Sequence, residues 1–177
     1  MSINQKGIDL IKHFESLHDG DLTKIGLQPK QCPAGIWTIA YGHALKTTDG
    51  SRFLKGSADK AEAYRQSVEV FHMMVEKDAE ELLNKDLQVY ADNVIRNIKG
   101  KIELTENEFA AVVSFDYNCG DGNLKVSTLL KKILAGDDAG AANEFLKWDK
   151  ATVKGKKVVL RGLTLRRQAE RALYLEK

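Results

Sequence analysis

Apolar residues recur along most of the chain at intervals of three and four, the period of an amphipathic helix. Ile3, Leu10, Ile11, Phe14 and Leu17 mark one face of a helix over residues 3–17, and Ser2 with Gln5 has capping-box spacing at its start. From 18 to 31 the pattern gives way to Asp, Gly, Lys and Gln, which reads as a loop. Ile36-Trp37-Thr38-Ile39-Ala40-Tyr41 then turns β-branched and aromatic between Gly35 and Gly42, as expected of a strand in a small sheet. Residues 46–60 are polar, contain two glycines and read as loop.

The helical period returns at about residue 61 and is strongest over 76–98, where Leu83, Leu87, Tyr90, Val94 and Ile98 form one stripe. Past Gly100, Thr105 and Glu108 have the spacing of a capping box opening a helix with Phe109, Val112 and Val113, broken at Gly120 and Gly122. Ser127 is placed to cap a short helix holding Leu129, Leu130, Ile133 and Leu134; Asp138 is placed to cap another holding Ala142, Phe145 and Leu146. Lys150 to Arg161 is basic and reads as irregular, and a last helix is expected from Thr164 to about Leu175. The pattern predicts an α+β fold that is mainly α, without internal repeats.

Composition narrows the function. With 43% hydrophobic and 29% charged residues the 177-residue chain is ordinary for a globular protein. A net charge of +2 is too mild for a dedicated nucleic-acid binder but gives a salt-sensitive attraction to an anionic polymer. Cys32 and Cys119 make no disulfide framework, and no Cys/His group has zinc spacing. Asp19-Gly-Asp21-Leu-Thr23 only faintly resembles a calcium loop, because Lys30 stands where a bidentate Glu is required. No metal or cofactor is therefore expected. The N-terminus lacks a charged leader with an apolar core, and no apolar run approaches the roughly 18 residues of a membrane span. The expectation is a protein held in the cytoplasm until something else releases it, with no stable membrane insertion.

Glu15 follows Phe14 at the end of the first helix, before a Gly-bearing loop. A carboxylate there meets the negative end of the helix dipole among apolar neighbours, and both effects favour its protonated form. A glycosidase needs such a group to protonate a leaving oxygen. Beyond Glu15 the chain runs through a loop to Cys32-Pro-Ala-Gly-Ile-Trp-Thr38-Ile-Ala-Tyr41-Gly-His43. This order resembles the phage-type lysozymes (endolysins) of glycoside hydrolase family 24, whose pattern is Phe-Glu-Gly, a loop, Asp, a Gly-bearing turn and Thr-Ile-Gly-Tyr-Gly-His. The resemblance continues through Glu76–Asp86, Leu104–Gly120 and Gly162–Leu173.

The resemblance implies a lysozyme-like single domain over 1–177. Its sheet-bearing lobe would span about 15–75 and its helical lobe about 99–177 plus the first helix, with a long helix joining them and a cleft between. It also implies a catalytic set of Glu, Asp and Thr, of which Glu15 matches the first and Thr38 the last. Cys32 occupies the Asp position, six residues before Thr38, and is expected to take over its role; Asp19 or Asp21 of the long loop is the alternative. Ser16 and Ala40 stand where the family has glycine. Tyr41 is a candidate for sugar stacking or for the core. Asn118 is a candidate for binding an N-acetyl group or for a helix C-cap. Family analogy predicts an ion pair or hydrogen bond between His43 and Asp86, and a disulfide between Cys32 and Cys119 is a further option. Arg166 and Arg167 would reach acidic groups in the cleft or face solvent.

The implied activity is that of a muramidase cutting the β-1,4 bond between N-acetylmuramic acid and N-acetylglucosamine in bacterial peptidoglycan, acting as a monomer without nucleic acid. The alternatives are a catalytically impaired peptidoglycan-binding relative and a Cys32-dependent wall hydrolase.

Overall fold

The computed structural model describes residues 2–17, 26–71, 75–98, 100–153 and 155–177. Eight helices and two small antiparallel sheets occur among them, and the chain divides into two compact units. Residues 15–86 form one; residues 1–14 with 87–177 form the other.

In the larger unit, α1 (Gln5–Glu15) enters from a cap on Asn4, whose Oδ1 accepts the Gly7 N–H at 3.1 Å. The capping position is Asn4 and not Ser2, because the helix starts two residues later than its apolar stripe suggests. Gly7 is where α1 comes close to its neighbour: a Cβ there would stand 2.7 Å from the Ala110 Cβ. That neighbour is α4 (Glu106–Cys119), opened by the predicted capping box of Thr105 and Glu108. Every residue from Phe109 to Asp116 is buried, which makes α4 the core helix of its unit.

Four more helices follow: α5 (Asp121–Val126) and α8 (Arg161–Leu175) pack on α4, α6 (Thr128–Leu134) packs on α5 and α7 (Asp138–Phe145), and α7 packs on α8. Ser127 caps α6 as expected, accepting the Leu130 N–H at 3.0 Å. Asp137, one residue before the predicted Asp138, caps α7 through the Gly140 N–H at 2.8 Å. Phe115 meets Phe145 and Trp148 edge-on, at 5.8 and 5.2 Å between ring centres. The stretch expected to be irregular is a two-stranded ribbon, β4 (Lys150–Val153) paired with β5 (Lys156–Val159).

The smaller unit holds a three-stranded antiparallel sheet in the order β1 (Lys30–Gln31), β2 (Trp37–Ile39), β3 (His43–Ala44). Behind it lies α2 (Lys60–Glu69), with Trp37 edge-on to Tyr64 at 5.9 Å. Trp37, Ile39, Leu45, Leu54 and Ala63 are its core. The polar stretch before α2 is an ordered loop. Asp59 accepts both terminal nitrogens of Arg52, at 2.6 and 2.9 Å, and the Lys55 N–H at 2.7 Å. The long helix α3 (Glu76–Ile98) supplies residues to both units and has the predicted bounds.

Candidate active site

Pro33-Ala-Gly35 turns the chain between β1 and β2. The Gly35 N–H reaches the Cys32 carbonyl at 2.8 Å, and the Cys32 N–H reaches Ile36 across the hairpin at 2.9 Å. Gly35 has φ +77°, as the third residue of such a loop requires. Lys30 pairs with Thr38 and Gln31 with Trp37. Side chains alternate along a strand and directly opposed residues share a face. Cys32 follows Lys30 by two, so Cys32 and Thr38 lie on the same face of the hairpin, and Trp37 points the other way. Thr38 falls six positions after Cys32 because the three-residue turn sets Ile36 opposite Cys32, and two more residues return the chain to the same face.

Thr38 is buried, and its Oγ1 donates to the Lys30 carbonyl at 3.0 Å, which fixes its rotamer against the partner strand. Cys32 is half-buried and its thiol is free; Cys119, too, is a free thiol, so no disulfide joins them. Glu15 is the last residue of α1, half-buried, and opens the same unit that contains the hairpin. Asp19 and Asp21 lie outside the described residues.

Ser16 and Ala40 bracket this region and are the two non-glycine residues with positive φ among the described residues, at 59° and 55°. They are the positions where the sequence departs from glycine. Ser16 turns the chain sharply out of α1 just after Glu15, and Ala40 turns it just after the buried strand that carries Thr38.

Two polar contacts tie the segment after Ala40 to α3. His43 Nδ1 stands 2.8 Å from Asp86 Oδ2, the predicted pair, with the imidazole edge-on to Phe71. The Tyr41 hydroxyl donates to Glu76 Oε1 at 3.2 Å. Tyr41 is only 5% exposed, so its ring belongs to the core and leaves little face for a sugar. Glu76 escaped notice because it reads as an ordinary acidic residue in the first turn of a helix. Asn118 is exposed near the end of α4, in the other unit.

Arg166 and Arg167 neither face solvent nor open α8, which starts five residues before them. Both are buried around Glu170: Arg166 Nε at 3.2 Å, Arg167 Nη2 at 2.8 Å, and Ser114 Oγ donating at 2.8 Å. Arg167 Nη1 also contacts Cys119 Sγ at 3.0 Å. The guanidinium of Arg166 lies 5.9 Å over the Phe14 ring, next to Glu15 in the chain. The spacing of Arg166, Arg167 and Glu170 was a visible signal for this cluster, since residues three and four apart share a helix face. Among the described residues no group of three or more His, Cys, Asp or Glu side chains could hold a metal ion.

Comparisons with known proteins identify the fold. The family model described as phage lysozyme matches residues 22–170. The endolysin of Acyrthosiphon pisum secondary endosymbiont phage 1 is 37% identical over 175 residues, covering 98% of both chains. The endolysin of Bacillus phage B103 is also 37% identical, but this chain spans only 54% of its length. Among solved structures, the endolysin from Escherichia coli O157:H7 phage FAHEc1 superposes with a TM-score of 0.76 at 34% identity, covering 99% of this chain and 94% of that one. The muramidase domain of SpmX from Asticaccaulis excentricus gives 0.74 at 30% identity, with 99% of each chain covered. The fold is thus that of a lysozyme-type glycoside hydrolase. The chain belongs to the phage lysozyme family.

Proposed function

We propose that this protein is an endolysin muramidase that hydrolyses the β-1,4 bond between N-acetylmuramic acid and N-acetylglucosamine of bacterial peptidoglycan. Glu15 is the general acid: its carboxyl proton goes to the glycosidic oxygen as the bond from that oxygen to the anomeric carbon breaks. A water molecule attacks the anomeric carbon from the opposite face, and Thr38 with Cys32 orients it. The water's released proton returns to solvent, and Glu15 is reprotonated from solvent. In this inverting scheme Cys32 takes the part that falls to the family's Asp. The catalytic roles come to this chain from the family, residue by residue.

The observation that carries the reading is the shared hairpin face of Cys32 and Thr38, within the unit that Glu15 opens. Binding of an N-acetyl group by Asn118 stays part of the proposal. For Tyr41, its burial favours support of the strand over contact with sugar. Release from the cytoplasm onto the wall completes the reading, with the chain acting as a monomer.

The test is digestion of purified peptidoglycan by the wild type and by Glu15→Gln, with mass analysis of the products. General acid catalysis contributes about 10²–10⁴-fold, and a loss of that size with new muramic reducing ends is expected. New amino groups in place of reducing ends would point to a Cys32-dependent wall hydrolase. An unaffected Glu15→Gln variant, or a wild type that binds walls without cutting them, would overturn the muramidase reading.

A further inference from the structure

The ribbon of β4 and β5 takes no part in the chemistry above. It is joined at its foot by the Leu160 N–H donating to the Asp149 carbonyl at 2.9 Å, and Gly155, at φ +78°, helps reverse the chain at its tip. Its register pairs Lys150 with Val159, Ala151 with Val158, Thr152 with Lys157 and Val153 with Lys156. One face therefore carries Ala151, Val153, Val158 and Lys156, and the other Lys150, Thr152, Lys157 and Val159. Val153, Val158 and Val159 are between 42% and 52% exposed. Leu160 and Leu165, which follow, are 38% and 48% exposed.

A two-stranded ribbon is marginal in water by itself, and valines left about half exposed on it gain only part of the free energy that burial supplies. Cations surround these side chains: Lys150, Lys156, Lys157 and Arg161 are all exposed. No acidic residue occurs between positions 150 and 161, although the chain as a whole is nearly balanced at +2. Positive charge is thus concentrated where apolar surface is exposed.

We infer that the β4–β5 ribbon docks this protein peripherally on an anionic phospholipid bilayer. Val153 and Val158, which share a face with Lys156, enter the boundary between headgroups and acyl chains, and the lysine stems run alongside while their ammonium groups meet lipid phosphates. Lipid is favoured over a soluble polyanion because a hydrophilic polymer would be matched by the cations alone and would leave the valines bare. The attachment is lateral: no helix among the described residues is long and apolar enough to cross a membrane.

Cosedimentation with vesicles of phosphatidylcholine, with and without phosphatidylglycerol, tests the inference. The wild type is expected to bind the phosphatidylglycerol vesicles, less so as salt rises, and to ignore phosphatidylcholine alone. Neutralising three lysines in the combined Lys150→Gln, Lys156→Gln, Lys157→Gln variant should weaken binding about 100-fold. The Val153→Ser, Val158→Ser variant keeps the charge and should also bind several-fold more weakly. Both variants should retain the wild-type circular dichroism and its rate on soluble wall fragments. Vesicle binding that survives the lysine changes would overturn the inference. So would a valine variant that binds vesicles and soluble teichoic acid as the wild type does, because the ribbon would then serve a polyanion. A parallel loss of turnover on soluble fragments would assign the ribbon to the substrate groove and overturn it as well.

Discussion

Ser16 is strained in a way that a single atom-level change relieves. Its φ of 59° is a conformation that costs an L-residue roughly 1–2 kcal/mol, and it sits exposed at the position after a helix where glycine is favoured. Ser16→Gly should therefore stabilise the protein by about 1 kcal/mol, raising Tm by about 2–4 °C for a chain of this size, as calorimetry would show. Ala40 has the same backbone problem but a buried methyl, so Ala40→Gly trades relief of strain against lost packing, and a near-neutral change is expected. Both sites were legible in the sequence as departures from a glycine pattern. At Cys32 the expected outcome concerns rate. Cys32→Ala should slow wall hydrolysis at least tenfold, and Cys32→Asp should preserve or raise it, because a carboxylate in that place orients the same water. Full activity in Cys32→Ala, combined with loss in Asp19→Asn or Asp21→Asn, would move the second catalytic role to the loop.

Along α8 the decisive contact is between like elements of opposite charge. Glu170 is fully buried and answers two equally buried guanidiniums, so removing its charge strands both. Breaking one partner of such a buried cluster typically costs about 3–5 kcal/mol. Glu170→Gln should accordingly lower stability by that amount, measured by urea unfolding. A loss below about 1 kcal/mol would mean that solvent reaches the cluster. Helices of this kind were easy to anticipate where a side chain caps them, as at Thr105 and Ser127, because the cap and the apolar period agree. Elements without a core-facing period were not. The β4–β5 ribbon shows no alternation of buried and exposed positions, since nearly all its residues are exposed; its only cue was Thr-Val and Val-Val around a Lys-Gly pair. The start of α1 was misplaced because Ser2 and Asn4 both suit a cap, and the choice depends on where the chain meets α4.

For the molecule as a whole, the hydrophobic pattern revealed the class of fold, while the pairing of the site residues depended on hairpin register, which a single strand's sequence does not specify. Burial of polar groups was equally hidden, and Asp116 is the case with the largest consequence for the intact protein. It is completely buried within α4, with Asn93 donating to its Oδ2 at 3.0 Å. Burial pushes its carboxyl up from 3.8 to about 6; nearby Asp121 adds to the effect, and the Asn93 bond, Lys125 and Arg96 oppose it. The folded protein therefore holds this proton more tightly than the unfolded chain does. Its stabilising contribution is complete below the unfolded value and is lost as pH rises through about 6. At about 1.4 kcal/mol for each tenfold change in proton affinity, the gap from 3.8 to about 6 amounts to about 3 kcal/mol. Asp116→Asn removes the titration and keeps the shape. Unfolding free energies of variant and wild type, measured from pH 4 to 7.5, should diverge by about 2 kcal/mol in favour of the variant, the remainder having been lost below pH 4. All other groups titrate alike in both proteins and cancel. A difference that stays flat across that range would show that this carboxyl loses its proton as readily in the core as in water.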